Sequence, residues 1–153
     1  MNLLIERAEI NDAAEVLELQ KIAYESEAIL YDDRSIPPLT QTLDDIREEF
    51  ERKTFLKACN GGRIIASVRA YVDSKICHIG RLIVHPEYQR KGTGAQLMSA
   101  IEEEFPSAVR FELFTGSESE GNIRLHERLG YKIFREERLS QRVELVFMEK
   151  LRR

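Results

Sequence analysis

The residues with the clearest chemical capability form one run, Leu82-Ile83-Val84-His85-Pro86-Glu87-Tyr88-Gln89-Arg90-Lys91-Gly92-Thr93-Gly94-Ala95. An apolar strand passes into a short basic turn with two glycines, and Leu97, Met98, Ile101 and Phe105 then follow at helical spacing. N–H groups at a helix start lack intrahelical partners and carry about +0.5 of an elementary charge. Gly92 and Gly94 remove the Cβ atoms that would hold an anion away from those donors, while Arg90 and Lys91 add full positive charge. Gln89 to Ala95 therefore reads as a seat for a phosphate or pyrophosphate. Two common phosphate ligands do not match it. No G-x-x-x-x-G-K-[ST] string occurs, and Leu97 stands where the dinucleotide fingerprint needs its third glycine.

The elements that must hold this turn are legible from spacing. Leu3-Leu4-Ile5 reads as a first strand, and Asp12 with Glu15 as a cap signature opening a helix through Ala13, Val16, Leu17 and Ala23. Pro37-Pro38 marks a loop, and a second helix follows Thr42 with Leu43, Ile46 and Phe50 on one face. Asn60-Gly61-Gly62 between Thr54–Cys59 and Arg63–Val72 predicts a hairpin. Ile76–Val84 has the apolar character of a central strand covered on both faces. A strand over Val109–Phe114, a helix over Asn122–Leu129 closed by Gly130, and a terminal pair of strands complete the chain. The expected order is β-α-α-β-β-β-α-β-α-β-β, a mixed α/β sheet in a single domain spanning residues 1–153.

Gln89-x-x-Gly92-x-Gly94 after a strand ending in Val84-His85-Pro86 resembles the acetyl-coenzyme A signature of the GNAT superfamily of N-acetyltransferases. Asn122-Ile123-Arg124-Leu125-His126-Glu127-Arg128-Leu129-Gly130-Tyr131 is similar to that family's late Asn…Leu-Tyr-Glu-Lys-x-Gly-Phe block. The resemblance implies a mostly antiparallel sheet of six to seven strands flanked by about four helices, with the fourth and fifth strands splayed into a cofactor slot. It further implies that the peptide groups of Leu82, Ile83 and Val84 hold the pantetheine arm like an added strand. Gln89, Arg90, Lys91, Gly92, Thr93, Gly94 and Ala95 would hold the pyrophosphate, and Asn122 would reach the arm. A homodimer is plausible by family habit.

The implied reaction moves an acetyl group from a thioester to an amine. An alkyl ammonium with a pKa near ~10.4 must lose a proton before it attacks, so a base is needed, together with donors for the developing oxyanion. The Val84 N–H is the candidate donor. His78, six residues before Val84 and so expected on the same strand face, is the candidate base; the other reading is a histidine packed in a central strand. His126 stands at the family's tyrosine, which is thought to protonate the departing thiolate. Imidazolium could donate instead, or His126 could hydrogen-bond the sulfur, or it could be a partly exposed helical histidine without chemistry. Tyr131 reads as packing.

Tyr24, Glu25, Glu27, Tyr31, Asp32 and Asp33 cluster where the family often builds its substrate wall; they could attract a cationic amine or form a solvated helix end. Glu102-Glu103-Glu104 reads as an exposed helix face. The formal charge of −4 over 153 residues argues against a nucleic-acid partner, and no apolar run approaches the ~18 residues of a membrane span. Met1 to Arg7 lacks the features of a signal peptide, so a cytoplasmic protein is expected. Cys59 and Cys77 have no metal-ligand spacing, and no metal is expected. Three functions fit these residues: an acetyl-coenzyme A-dependent transferase acting on a small-molecule or peptide amine, an acyl-coenzyme A sensor without turnover, and an acyltransferase using a longer acyl donor or a hydroxyl acceptor.

Overall fold

The computed structural model describes residues 3–152, so Met1 and Asn2 of the segment read against a signal peptide lie outside the described residues. Seven strands, β1 (Leu3–Arg7), β2 (Thr54–Asn60), β3 (Arg63–Asp73), β4 (Ile76–Val84), β5 (Arg110–Gly116), β6 (Lys132–Arg138) and β7 (Glu144–Leu151), form one sheet in the order β1-β2-β3-β4-β5-β7-β6. Every neighbouring pair is antiparallel except β4 and β5, which run parallel. Gly61 and Gly62 both have positive φ, the conformation that a tight β2–β3 turn requires and that side chains resist.

The helices are α1 (Ala13–Ala23), α2 (Glu25–Tyr31), α3 (Pro37–Thr40), α4 (Leu43–Arg52), α5 (Thr93–Glu103) and α6 (Glu120–Arg128). α4 follows Thr42 as expected, and the structure adds a reciprocal cap: Thr42 Oγ1 accepts from the Asp45 N–H at 3.1 Å and Asp45 Oδ2 from the Thr42 N–H at 2.9 Å. Asp12 precedes α1 but does not cap it. Its carboxylate accepts instead from the Glu9 N–H and from Lys57 Nζ, while Glu15 accepts from the Ile64 N–H. The proline segment is also not simply a loop. Pro37 and Pro38 occupy the first two positions of α3, where a missing N–H removes no helical bond.

The helices cover both faces of the sheet. Leu97, Met98 and Ile101 of α5 are fully buried against Ala66, Val68, Cys77 and Ile79, each such side chain contributing about 1.5–3 kcal/mol. On the other face Val16 and Leu19 of α1 pack with Phe55, Ile64 and Ile83. Cys59 and Cys77 are buried and free, and burial pushes the Cys77 thiol up to about 12, Glu102 adding to the shift against Arg152. Glu102 is not the exposed residue that its acidic run suggests: it accepts from Tyr131 Oη at 2.8 Å and from Lys150 Nζ at 3.0 Å.

Two irregularities in β4 shape the rest. Ser67 pairs with Ile83, but Arg69 pairs with Gly80, so β4 carries one extra residue, and Arg81 there adopts φ +48°. Side-chain alternation reverses across this bulge. Ile79 and Cys77 before it, and Leu82 and Val84 after it, all face α5. In addition, β4 pairs with β5 only over Ile76, Cys77 and His78. Beyond His78 the two strands separate.

Candidate active site

A groove of about 780 Å³ opens where β4 and β5 part. One wall is Leu82, Ile83 and Val84, and the mouth is the turn from Gln89 to the start of α5. The His85 N–H donates to Ile65 of β3 at 2.8 Å, so by strand alternation the Val84 N–H points the other way, toward the side without a strand partner. Gln89 Nε2 donates to the Val84 carbonyl at 3.2 Å and ties the turn to the strand end. Arg90 (φ +63°) and Gly92 (φ +82°) bend the chain so that six consecutive N–H groups, Arg90 to Ala95, have no backbone acceptor. The buried Thr93 Oγ1 also lacks a partner. At Gly94 a Cβ would lie 3.4 Å from Leu125 and 3.7 Å from Leu82, ordinary contact distances, so this position packs between α6 and β4.

Of the residues expected at this site, Leu82, Ile83, Val84, Gln89, Arg90, Gly92, Thr93, Gly94, Ala95 and Asn122 line the groove. Lys91 does not; its ammonium lies 5.9 Å from the Tyr88 ring centroid. His78 lies outside the groove as well. The bulge at Arg81 turns it to the face opposite the Val84 side chain, correcting the same-face expectation, and there it stacks on Tyr71 with ring centroids 4.8 Å apart.

His126 is 6% exposed, sits edge-on to Tyr131 and does not line the groove. Burial lowers its pKa to about 4, so near pH 7 the ring is neutral imidazole with a single N–H rather than imidazolium. An unfolded histidine titrates near ~6.5, so between about pH 6.5 and 4 the unfolded chain binds the extra proton and folding stability falls as pH falls. His126→Phe should remove up to ~3 kcal/mol of that loss, read as a flatter dependence of urea-unfolding free energy on pH across this window. An unchanged slope would show that His126 is not buried as a neutral ring.

A second cavity of about 270 Å³ lies on the α1 side of the sheet and shares Tyr24, Glu27 and Asn122 with the groove. Its walls include Tyr31, Ile36 and Pro38 from the α2–α3 segment, Phe114 from β5, Leu139 and Val143 from the β6–β7 connection, and Leu145 from the start of β7. Arg142 holds that connection to Asp32 through the Asp32 carbonyl and carboxylate. Tyr31 Oη accepts from the Glu118 N–H at 2.9 Å, and Gly116 must lack a side chain because a Cβ there would sit 2.0 Å from that oxygen.

Only part of the acidic cluster reaches this cavity. Tyr24, Glu27 and Tyr31 line it, whereas Glu25 pairs with Arg34, Asp32 with Arg142, and Asp33 with Ser35. Glu27 accepts from Ser119 Oγ at 2.6 Å and from Asn122 Nδ2 at 3.3 Å. Burial pushes the Tyr24 hydroxyl pKa up, against the opposing charges of Arg81 and Arg69.

The cavity floor holds a network absent from the sequence reading. Arg69 is 1% exposed in the middle of β3. It donates to Glu49 Oε2 at 3.1 Å and to Gln20 Oε1 at 2.6 Å, and its guanidinium lies over Phe55. Lys53 Nζ donates to Glu49 Oε1 at 2.8 Å. An arginine inside an apolar strand run was the available signal, because a charge is buried only where partners compensate it. Among the described residues no cluster of His, Cys, Asp and Glu could hold a metal ion, and no helix is long and apolar enough to cross a membrane.

A mixed sheet opened beside its parallel strand pair, with a donor-rich turn at the mouth, is a frame this chain shares with a known family. Residues 14–131 match the acetyltransferase (GNAT) family model, and the chain belongs to that family. It is 27% identical over 128 residues to UPF0157 protein YqkA of Bacillus subtilis, a match covering 84% of this chain but only 37% of that longer protein. The fold is similar to the PaiA N-acetyltransferase of Thermoplasma acidophilum in complex with coenzyme A, with TM-score 0.83 at 16% identity over 99% of this chain and 100% of that one. It is also similar to the ribosomal-protein-S18-alanine N-acetyltransferase of Escherichia coli, with TM-score 0.81 at 18% identity, covering 98% and 94% of the two chains.

Proposed function

We propose that this protein is an N-acetyltransferase that uses acetyl-coenzyme A and a small-molecule amine, both bound at once. The observation that carries the reading is the meeting of two cavities at Tyr24, Glu27 and Asn122, one with the donors of an anion seat and one, about 270 Å³, of a size for a small acceptor.

The groove residues fit the cofactor. Six unpartnered N–H groups suit a pyrophosphate, the unpartnered Thr93 hydroxyl lies beside them, and the free edge of β4 can pair with an amide-bearing arm. Bound there, acetyl-coenzyme A supplies the activated acetyl thioester. Glu27 takes the proton of the acceptor amine, directly or through one water, with Ser119 and Asn122 fixing its carboxylate. The Val84 N–H is the backbone donor for developing negative charge. Tyr24, kept protonated by burial and lining both cavities, takes the donor role that His126, which does not line the groove, leaves open.

The test is cofactor affinity. Arg90→Glu with Lys91→Glu should weaken coenzyme A binding by calorimetry by on the order of 10-fold or more, with unfolding free energy little changed, because both side chains are exposed. Unaltered affinity would remove the anion seat from the reading.

A further inference from the structure

We infer that the acceptor is an amine that also carries a carboxylate on a small apolar body, such as an α-amino acid with an apolar side chain, its carboxylate held by Arg81 and Arg69. This deepens the transferase reading and rests on it. The 270 Å³ cavity is lined by three cations, Lys53, Arg69 and Arg81, against two carboxylates, Glu27 and Glu49. Both carboxylates are engaged. Glu49 accepts from Lys53, Arg69 and Gln41, and Glu27 accepts from Ser119 and Asn122 at the groove end.

One positive charge is left over, and it is Arg81. Among the described residues it has no carboxylate within 4.0 Å, unlike Arg69 and Lys53 beside it. Its backbone sits in the left-handed region at the bulge, a conformation that costs about 1–3 kcal/mol in a non-glycine residue and is often kept at ligand sites. Arg69 adds a buried Nε without a partner. Two guanidiniums next to one another repel, and a planar anion between them would relieve that repulsion through paired N–H···O bonds.

The rest of the cavity suits a hydrocarbon group. Ile36, Pro38, Phe114, Leu139, Val143 and Leu145 form its walls. Its volume falls just under the about 300–1,000 Å³ of drug-sized ligand sites, which favours a metabolite. A polyamine is disfavoured, because it would bring further positive charge to a site that already has a surplus. The amino terminus of a peptide lacks the free carboxylate.

The experiment compares leucine, leucinamide and 3-methylbutylamine as acceptors in a thiol-release assay with acetyl-coenzyme A, and measures N-acetylleucine binding by calorimetry. Leucine should exceed the other two in kcat/KM by roughly 10- to 100-fold. In Arg81→Gln that preference should collapse, mainly through KM. Equal or better turnover of the amide or the plain amine overturns the inference. If none of the three releases thiol, N-acetylleucine decides: binding that Arg81→Gln abolishes supports the carboxylate seat, and no binding at millimolar concentration overturns it. Failure of the parent protein to bind coenzyme A would instead overturn the transferase reading itself.

Discussion

Glu27→Gln is expected to lower kcat by about 10²–10⁴-fold, the range for loss of a positioned general base. Glutamine keeps the size of glutamate and can still accept from Ser119 Oγ, so the wall between the two cavities should survive. What disappears is the ability to take a proton. Coenzyme A affinity by calorimetry should stay unchanged in the variant, a split between turnover and cofactor binding that altered packing alone would not produce. His78→Ala is the matched comparison. With His78 stacked on Tyr71 outside both cavities, its loss should cost far less. Glu27→Gln activity within about threefold of the parent, with collapse in His78→Ala, would reverse the assignment.

The largest stability effect is expected at Glu49. Glu49→Ala leaves the Arg69 guanidinium, 1% exposed, without its only carboxylate partner among the described residues. Stripping one member from a buried ion pair costs about 3–5 kcal/mol, because the other charge stays desolvated. Urea unfolding at neutral pH should show this loss in full. The double change Glu49→Leu with Arg69→Met should recover much of it, since apolar side chains of similar volume need no compensation.

The pH dependence has a definite sign. Burial opposes ionisation of Glu49, but the Arg69 charge and the Lys53 and Gln41 hydrogen bonds outweigh it and hold the pKa down to about 2. The usual unfolded value is near ~4.3, so the unfolded chain takes up the proton first. The stabilisation is complete above about pH 4.3 and is lost as pH falls toward about 2. Equal acid sensitivity of parent and Glu49→Ala would refute the pair.

Most strands and the principal helices were readable because each depends on contacts within a few residues. Asn60-Gly61-Gly62 gave the β2–β3 hairpin, and a run apolar on both faces gave β4. Thr42 marked the start of α4, where its cap is a bond three residues long. Errors came where distant partners compete for local groups. Asp12 looked like a cap but is drawn to Lys57, 45 residues away, and Glu102 looked solvated but meets Tyr131 and Lys150.

The sequence alone determined the donor-rich turn, because two glycines, two basic residues and a helix start act through their own backbone. Together with the Asn122–Tyr131 block it also carried the family resemblance that the family match bears out. Only the tertiary structure decided which side chains face the chemistry. Spacing counts residues but does not reveal a bulge, and one extra residue at Arg81 turns His78 away from the side Val84 occupies. Helical position placed His126 in the right block but not the packing that keeps it neutral. The meeting of Glu27 with Ser119 and Asn122, more than 90 residues on, and of Arg69 with Glu49 and Gln20, arises only when the sheet closes, since these contacts depend on long-range register and burial that no local pattern encodes.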